Sequence, residues 1–170
     1  MCVILDPKVT PASLSTENIV TTFIYWDKNH NHTTYLCSGF LKLLSLTLEQ
    51  KHLNIQDNAT IHVFSGGIPT ILGDGVSIAH NVVAHACTIH ALTLVGMGAI
   101  VLDGAEIGEE CLIGAGAVVA PRSKIPPRSL VLGNPAKVVR ALTADDIERL
   151  HKTAENYVRF SREYLEQGIR

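Results

Sequence analysis

An aliphatic residue returns at every sixth position through the second half of this 170-residue chain: Ile89, Val95, Val101, Ile107, Ile113, Val119, Ile125 and Val131. A small residue follows each of them by four positions, namely Thr93, Ala99, Ala105, Cys111, Ala117, Ser123, Ser129 and Pro135. Each six-residue unit therefore offers one bulky and one small side chain to an interior. Neither the 3.6-residue period of a helix nor the two-residue alternation of a strand generates this pattern. It predicts a solenoid, in which short strands stack coil upon coil and each coil covers the apolar row of the next.

Leu72, Ile78 and Ala84 extend the period backwards, but the step from Ala84 to Ile89 is five residues. Histidines gather around that break. His80, His85 and His90 are spaced five apart, and His62 stands eighteen residues before His80. Where three hexads close one triangular coil, this spacing predicts that His62 and His80 lie on neighbouring coils, one inter-strand distance (~4.8 Å) apart.

With 46% hydrophobic and 5% aromatic residues, the core is expected to consist of aliphatic rows. The net charge of −2 and the lack of any arginine before Arg122 give no basic stripe for nucleic acid. No run reaches the ~18 apolar residues of a membrane span, and the opening MCVILDPKVT lacks the regions of a signal peptide, so a cytoplasmic protein without membrane partners is expected. Cys2, Cys37, Cys87 and Cys111 form no CxxC pair and read as reduced thiols, Cys111 as a small inward residue of a hexad.

Three regions follow. Residues 1–53 are an irregular N-terminal segment with strand-like (Ile19 to Trp26) and apolar (Phe40 to Leu48) patches but no hexads. Residues 54–141 are the solenoid, whose last stretch, with three prolines and a GNP turn, suits an irregular final coil. Residues 142–170 are a helix begun by Thr143, since TADD has the form of a capping box with Asp in place of Glu. Ile147, Leu150, Ala154, Tyr157 and Tyr164 draw its apolar stripe, opposite Glu148, Lys152, Glu155, Arg159 and Glu163.

The runs NIQDNATIHV (54–63), SIAHNVVAHACTI (77–89) and LVGMGAIVLDGAEIGEECLIGAGAVV (94–119), continued by VLGNPAKVVRALT and AENY, resemble the gamma-class carbonic anhydrases of the hexapeptide-repeat superfamily. The resemblance implies a mainly β fold, a left-handed parallel β-helix with a C-terminal α-helix packed on it, assembled as a homotrimer. It implies as metal ligands His62, His80 and His85, the middle one reaching the metal from a neighbouring subunit. Three neutral imidazoles suit Zn²⁺, or Fe²⁺ or Co²⁺ in its place, and leave an open position for water. The implied reaction is the reversible hydration of carbon dioxide to bicarbonate by a metal-bound hydroxide.

The same resemblance gives Gln56 the task of hydrogen-bonding water or substrate, Asp57 a structural ion pair near the subunit contact, and Tyr157 a place at the mouth of the site. Each has a plain alternative: Asp57 in a turn, Tyr157 in the packing stripe, an isolated exposed histidine merely solvated. His90 is expected at the surface or near the site without ligating, and His30, His32, His52 and His151, which match no ligand position, are expected to be solvated.

Family members carry a tryptophan and an RGD triplet about one coil before IQD, where this chain reads SGFLKLLSLTLEQKHLN. The ion-pair arginine is gone. Either Lys42 or Lys51 replaces it, the region is solvated, or trimer and activity suffer. Two further readings stay open: a coenzyme A-dependent acyltransferase, since GAGAVV and GNPAKVVR recur in such hexapeptide enzymes, and a non-catalytic metal-binding scaffold subunit.

Overall fold

The computed structural model describes residues 3–4, 23–26, 33–36, 44–46, 53–63 and 68–167. Before the solenoid come β1 (Val3–Ile4), β2 (Phe23–Trp26), β3 (Thr33–Leu36) and β4 (Leu44–Leu46), of which the last three pair as an antiparallel meander without hexads. The first coil is β5 (Asn54–Ile55), β6 (Thr60–His62) and β7 (Ile71–Leu72); the second is β8 (Ser77–Ile78), β9 (Val83–His85) and β10 (Thr88–Ile89). The third is β11 (Leu94–Val95), β12 (Ile100–Val101) and β13 (Glu106–Ile107), and the fourth β14 (Leu112–Ile113), β15 (Val118–Val119) and β16 (Lys124–Ile125). Strands of successive coils pair in parallel to make the three faces of a prism.

The hexad supplies the core as the period predicts. Leu72, Ile78, Ala84, Ile89, Val95, Val101, Ile107 and Ile113 are sealed from solvent, and the small residues Thr93, Ala99, Ala105, Cys111 and Ala117 fill the narrow corners between them. Cys87 and Cys111 are free, buried thiols; Cys2 and Cys37 lie outside the described residues. Among the described residues the coils turn their corners through residues with positive φ. One corner stacks Asn58, Asn81, Gly98 and Gly116, and another Ala86, Gly104 and Arg122, so the backbone bends alike at each level even where the side chain is not glycine.

The coils are not all of one length. Asn54 pairs with Ser77, twenty-three residues on, because extra chain is inserted between β6 and β7. Ser77 pairs with Leu94 at seventeen, the residue missing after Ala84, and Thr88 pairs with Glu106 at the regular eighteen. This corrects one expectation. His62 lies beside His85 and not beside His80, since the insertion shifts the register by five residues.

The solenoid ends in a hairpin with a register shift between Leu130 and Val131. β17 (Ser129–Leu132) stacks on β14, a GNP turn with a cis Asn134–Pro135 bond reverses the chain, and β18 (Lys137–Ala141) returns antiparallel. At the other end β1 pairs antiparallel with β5, so both open edges of this face are closed by a reversed strand.

Helix α1 (Ala144–Glu166) starts as the capping box predicts. Thr143 Oγ1 accepts from the Asp146 N–H at 3.2 Å, and the Asp146 carboxylate accepts from the Thr143 N–H at 2.9 Å. The side-chain hydrogen bond from Arg140 and those from Thr143 hold the Asp146 carboxyl well below the usual carboxylate range. Leu150 is buried, Ala154 and Tyr157 are half-buried, and Glu148, Lys152 and Glu155 are exposed, as the stripe requires; the Tyr164 side chain lies outside the described residues. Among the described residues no helix is long and apolar enough to cross a membrane.

Candidate functional site

Strands β6 and β9 lie side by side with His62 and His85 in register at their ends. Successive strand residues point to opposite faces, so the buried Ile61 and Ala84 force both imidazoles outward. The two rings stack with centroids 5.0 Å apart and 19° between their planes. Asp103 arrives from the next coil, eighteen residues after His85, and its Oδ1 accepts a hydrogen bond from His85 Nδ1. A carboxylate only accepts, so the proton sits on Nδ1 and the Nε2 lone pair of His85 is free.

His80 stands at the opposite edge of the same face, in the turn that precedes β9. Its Nδ1 is 3.9 Å from Asp57 Oδ2, and both side chains are 41% exposed. Asp57 therefore faces a histidine of its own chain in a solvated corner; Lys42 and Lys51 lie outside the described residues. Immediately before Asp57, Gln56 is buried and donates from Nε2 to the Tyr157 hydroxyl at 2.8 Å. The structure thus brings Gln56 and Tyr157 together, brings His62 and His85 together, and holds His80 at a separate edge. Among the described residues no three His, Cys, Asp or Glu side chains of the single chain gather as a metal-holding group.

Two features were missed from sequence. Asp103 could have been found by adding one eighteen-residue coil to His85. Glu110 has the same signal in Arg128, eighteen residues on, but none in His151: it is buried at a corner with φ of 52° and accepts from Arg128 Nε at 2.6 Å and from His151 Nε2 at 2.7 Å. The bond from His151, then that from Arg128, pulls the Glu110 carboxyl below its ordinary value. The triad ties α1 to the third and fourth coils. His90 is exposed, its Nε2 3.4 Å from Glu106, which also pairs with Lys124; His30, His32 and His52 lie outside the described residues. Burial pushes the Cys87 thiol up to about 12, so this neighbour of His85 stays protonated at neutral pH. A cleft of about 600 Å³ between α1 and the solenoid, walled by Leu92, Ala154 and Val158, is lined by none of the predicted site residues.

Residues 86–121 match the family model "Bacterial transferase hexapeptide (six repeats)". A probable carbonic anhydrase of Methanocaldococcus jannaschii is 52% identical over 108 residues, 64% of this chain and 67% of that protein. The chain belongs to the hexapeptide-repeat superfamily of gamma-carbonic-anhydrase-like proteins. Its solenoid is the left-handed parallel β-helix of that superfamily. The mitochondrial gamma carbonic anhydrase 1 of Arabidopsis thaliana is 42% identical over 109 residues, 61% of this chain, which spans only 40% of the plant protein. Among solved structures, one titled putative acetyltransferase from Bacillus cereus superposes with a TM-score of 0.64 at 46% identity, covering 66% of this chain and 65% of that one. The superfamily thus holds both carbonic anhydrases and acyltransferases.

Proposed function

We propose that this chain is a gamma-class carbonic anhydrase-like metalloprotein that interconverts carbon dioxide and bicarbonate. His62 and His85 of one chain and His80 of a neighbouring copy hold a divalent ion, Zn²⁺ or Fe²⁺ or Co²⁺, in a homotrimer. The observation that carries the reading is the outward-facing His62–His85 pair, with the Nε2 of His85 left as a free donor by its bond to Asp103. Two neutral imidazoles on adjacent strands fit a borderline cation, and a third donor from another copy completes the set. Bound there, the ion would supply Lewis-acid activation of water at neutral pH.

The protein's own residues do the rest. His80 and the His62–His85 pair sit at opposite edges of one face, so a second copy is the source of the third ligand. Gln56, fixed by Tyr157 beside the His80 edge, orients the small substrate with its amide. No arginine precedes Arg122 to take the role of the family's RGD arginine, so slow turnover is expected.

A second reading is favoured by the same His85–Asp103 contact. A histidine whose Nδ1 is held by a carboxylate is also the arrangement of a general base, which a coenzyme A-dependent acyltransferase needs to activate its acceptor. Metal analysis of the purified chain, followed by stopped-flow hydration of carbon dioxide with metal added, separates the two. Stoichiometric metal with measurable hydration supports the first reading. Saturable acyl-coenzyme A binding without metal supports the second, and metal with neither activity leaves a scaffold subunit.

A further inference from the structure

We infer that Asp103 is the positioning residue of His85: it fixes the Nδ1–H tautomer and aims Nε2 at the metal position. The inference rests on the metal reading above and deepens it. Three observations converge on it. The His85 Nδ1–Asp103 Oδ1 bond lies in the ring's hydrogen-bonding direction, while stacking on His62 restrains the ring from its face. The Asp103 backbone is itself held, because its carbonyl accepts from the Arg122 N–H at 2.8 Å and the following Gly104 N–H donates to the Ala86 carbonyl at 2.7 Å. Gly104 takes φ of 67° at that corner, so the offset between Asp103 and His85 is set by the coil geometry and not by a flexible loop.

The His80 edge lacks this arrangement. There Nδ1 is 3.9 Å from Asp57, beyond hydrogen-bond reach, so among the described residues it is His85 of the three predicted ligands whose tautomer a direct carboxylate bond sets. A ligating imidazole held by an outer carboxylate is more basic and needs no reorientation on binding, and losing such a carboxylate lowers metal affinity by roughly 10–100-fold.

The test uses the full chain and four proteins: wild type, Asp103→Ala, Asp103→Asn and His85→Ala. Long-range ¹H–¹⁵N spectra of the metal-free protein at mildly alkaline pH read the His85 tautomer without reference to any activity. Wild type and Asp103→Asn should show a protonated Nδ1, and Asp103→Ala should move to the Nε2–H form. Zn²⁺ competition against a chromophoric chelator should then show Asp103→Ala weakened by roughly 10–100-fold, with Asp103→Asn close to wild type. Matching melting curves verify that Asp103→Ala is folded. An Nε2–H tautomer in the wild type overturns the inference, as does an Asp103→Ala protein that binds Zn²⁺ like wild type while His85→Ala does not. If His85→Ala also binds like wild type, it is the metal reading that has failed, and the inference goes with it.

Discussion

Gln56 and Tyr157, 101 residues apart, meet in a 2.8 Å hydrogen bond that joins the first coil of the solenoid to the C-terminal helix. The glutamine is buried and the tyrosine half-buried, so the bond is shielded from competing water. Tyr157→Phe keeps the ring and removes the hydroxyl that accepts from Gln56. Urea denaturation should show a loss of about 1–3 kcal/mol, the cost of a buried amide donor deprived of its partner. A variant as stable as wild type would mean that Gln56 is satisfied elsewhere.

Glu110 makes the docking of α1 pH-dependent. Its folded pKa lies below the ordinary value of 4.5, so the carboxylate contributes stability in full above that value and loses it as pH falls through the folded pKa. Arg128 and His151 are 61% and 44% exposed, so solvent screening reduces the contribution to about 1 kcal/mol. Glu110→Gln should lower stability by that amount at neutral pH, and the difference from wild type should shrink on acidification. Chemical denaturation at a series of pH values measures it; a difference that grows toward acid would contradict the assignment.

Arg122 occupies a corner with φ of 59° where the preceding coil has Gly104. An arginine there bears the left-handed penalty that asparagine tolerates better. Arg122→Asn should therefore stabilise the solenoid by about 0.5–1 kcal/mol, read as a raised melting temperature. A fall in melting temperature would mean that the arginine side chain contributes more than its backbone costs.

The solenoid was legible because its signal is repeated. Each of Val95, Val101, Ile107 and Ile113 reports the same inward position, and an error at one is corrected by the others. The same holds for Thr143 and Asp146, whose capping chemistry is local. The site was legible only in part. Gln56, Tyr157 and the three histidines came from a resemblance, whereas counting eighteen from His62 gave His80 as its neighbour when the inserted chain before β7 places His85 there. One insertion is invisible to a period that has not yet become regular. Asp103 and Arg128 each lie one regular coil beyond their partners His85 and Glu110, so the period offers both pairs, whereas the bond from His151 to Glu110 depends on how α1 docks. The N-terminal segment carries no repeat; its strand-like patch from Ile19 to Trp26 contains β2, but nothing in the sequence disclosed the pairing with β3 and β4.

The metal reading makes a prediction about assembly that a single chain cannot satisfy. His80 lies at one edge of the face and His62 with His85 at the other, so each complete site draws on two copies, and the protein should be a trimer by light scattering. Metal bound only by the assembled form should also raise its melting temperature in proportion to the logarithm of free metal. His62→Ala and His80→Ala proteins should each bind far less Zn²⁺ than wild type. Mixed and allowed to exchange subunits, they should regain binding, because a junction that takes His62 and His85 from one variant and His80 from the other has all three ligands. Metal analysis of the mixture after gel filtration reads the recovery. If the mixture binds no more than its two components, or if a monomer binds Zn²⁺ as tightly as the assembled protein, the ligands are not shared between copies and the proposed site is wrong.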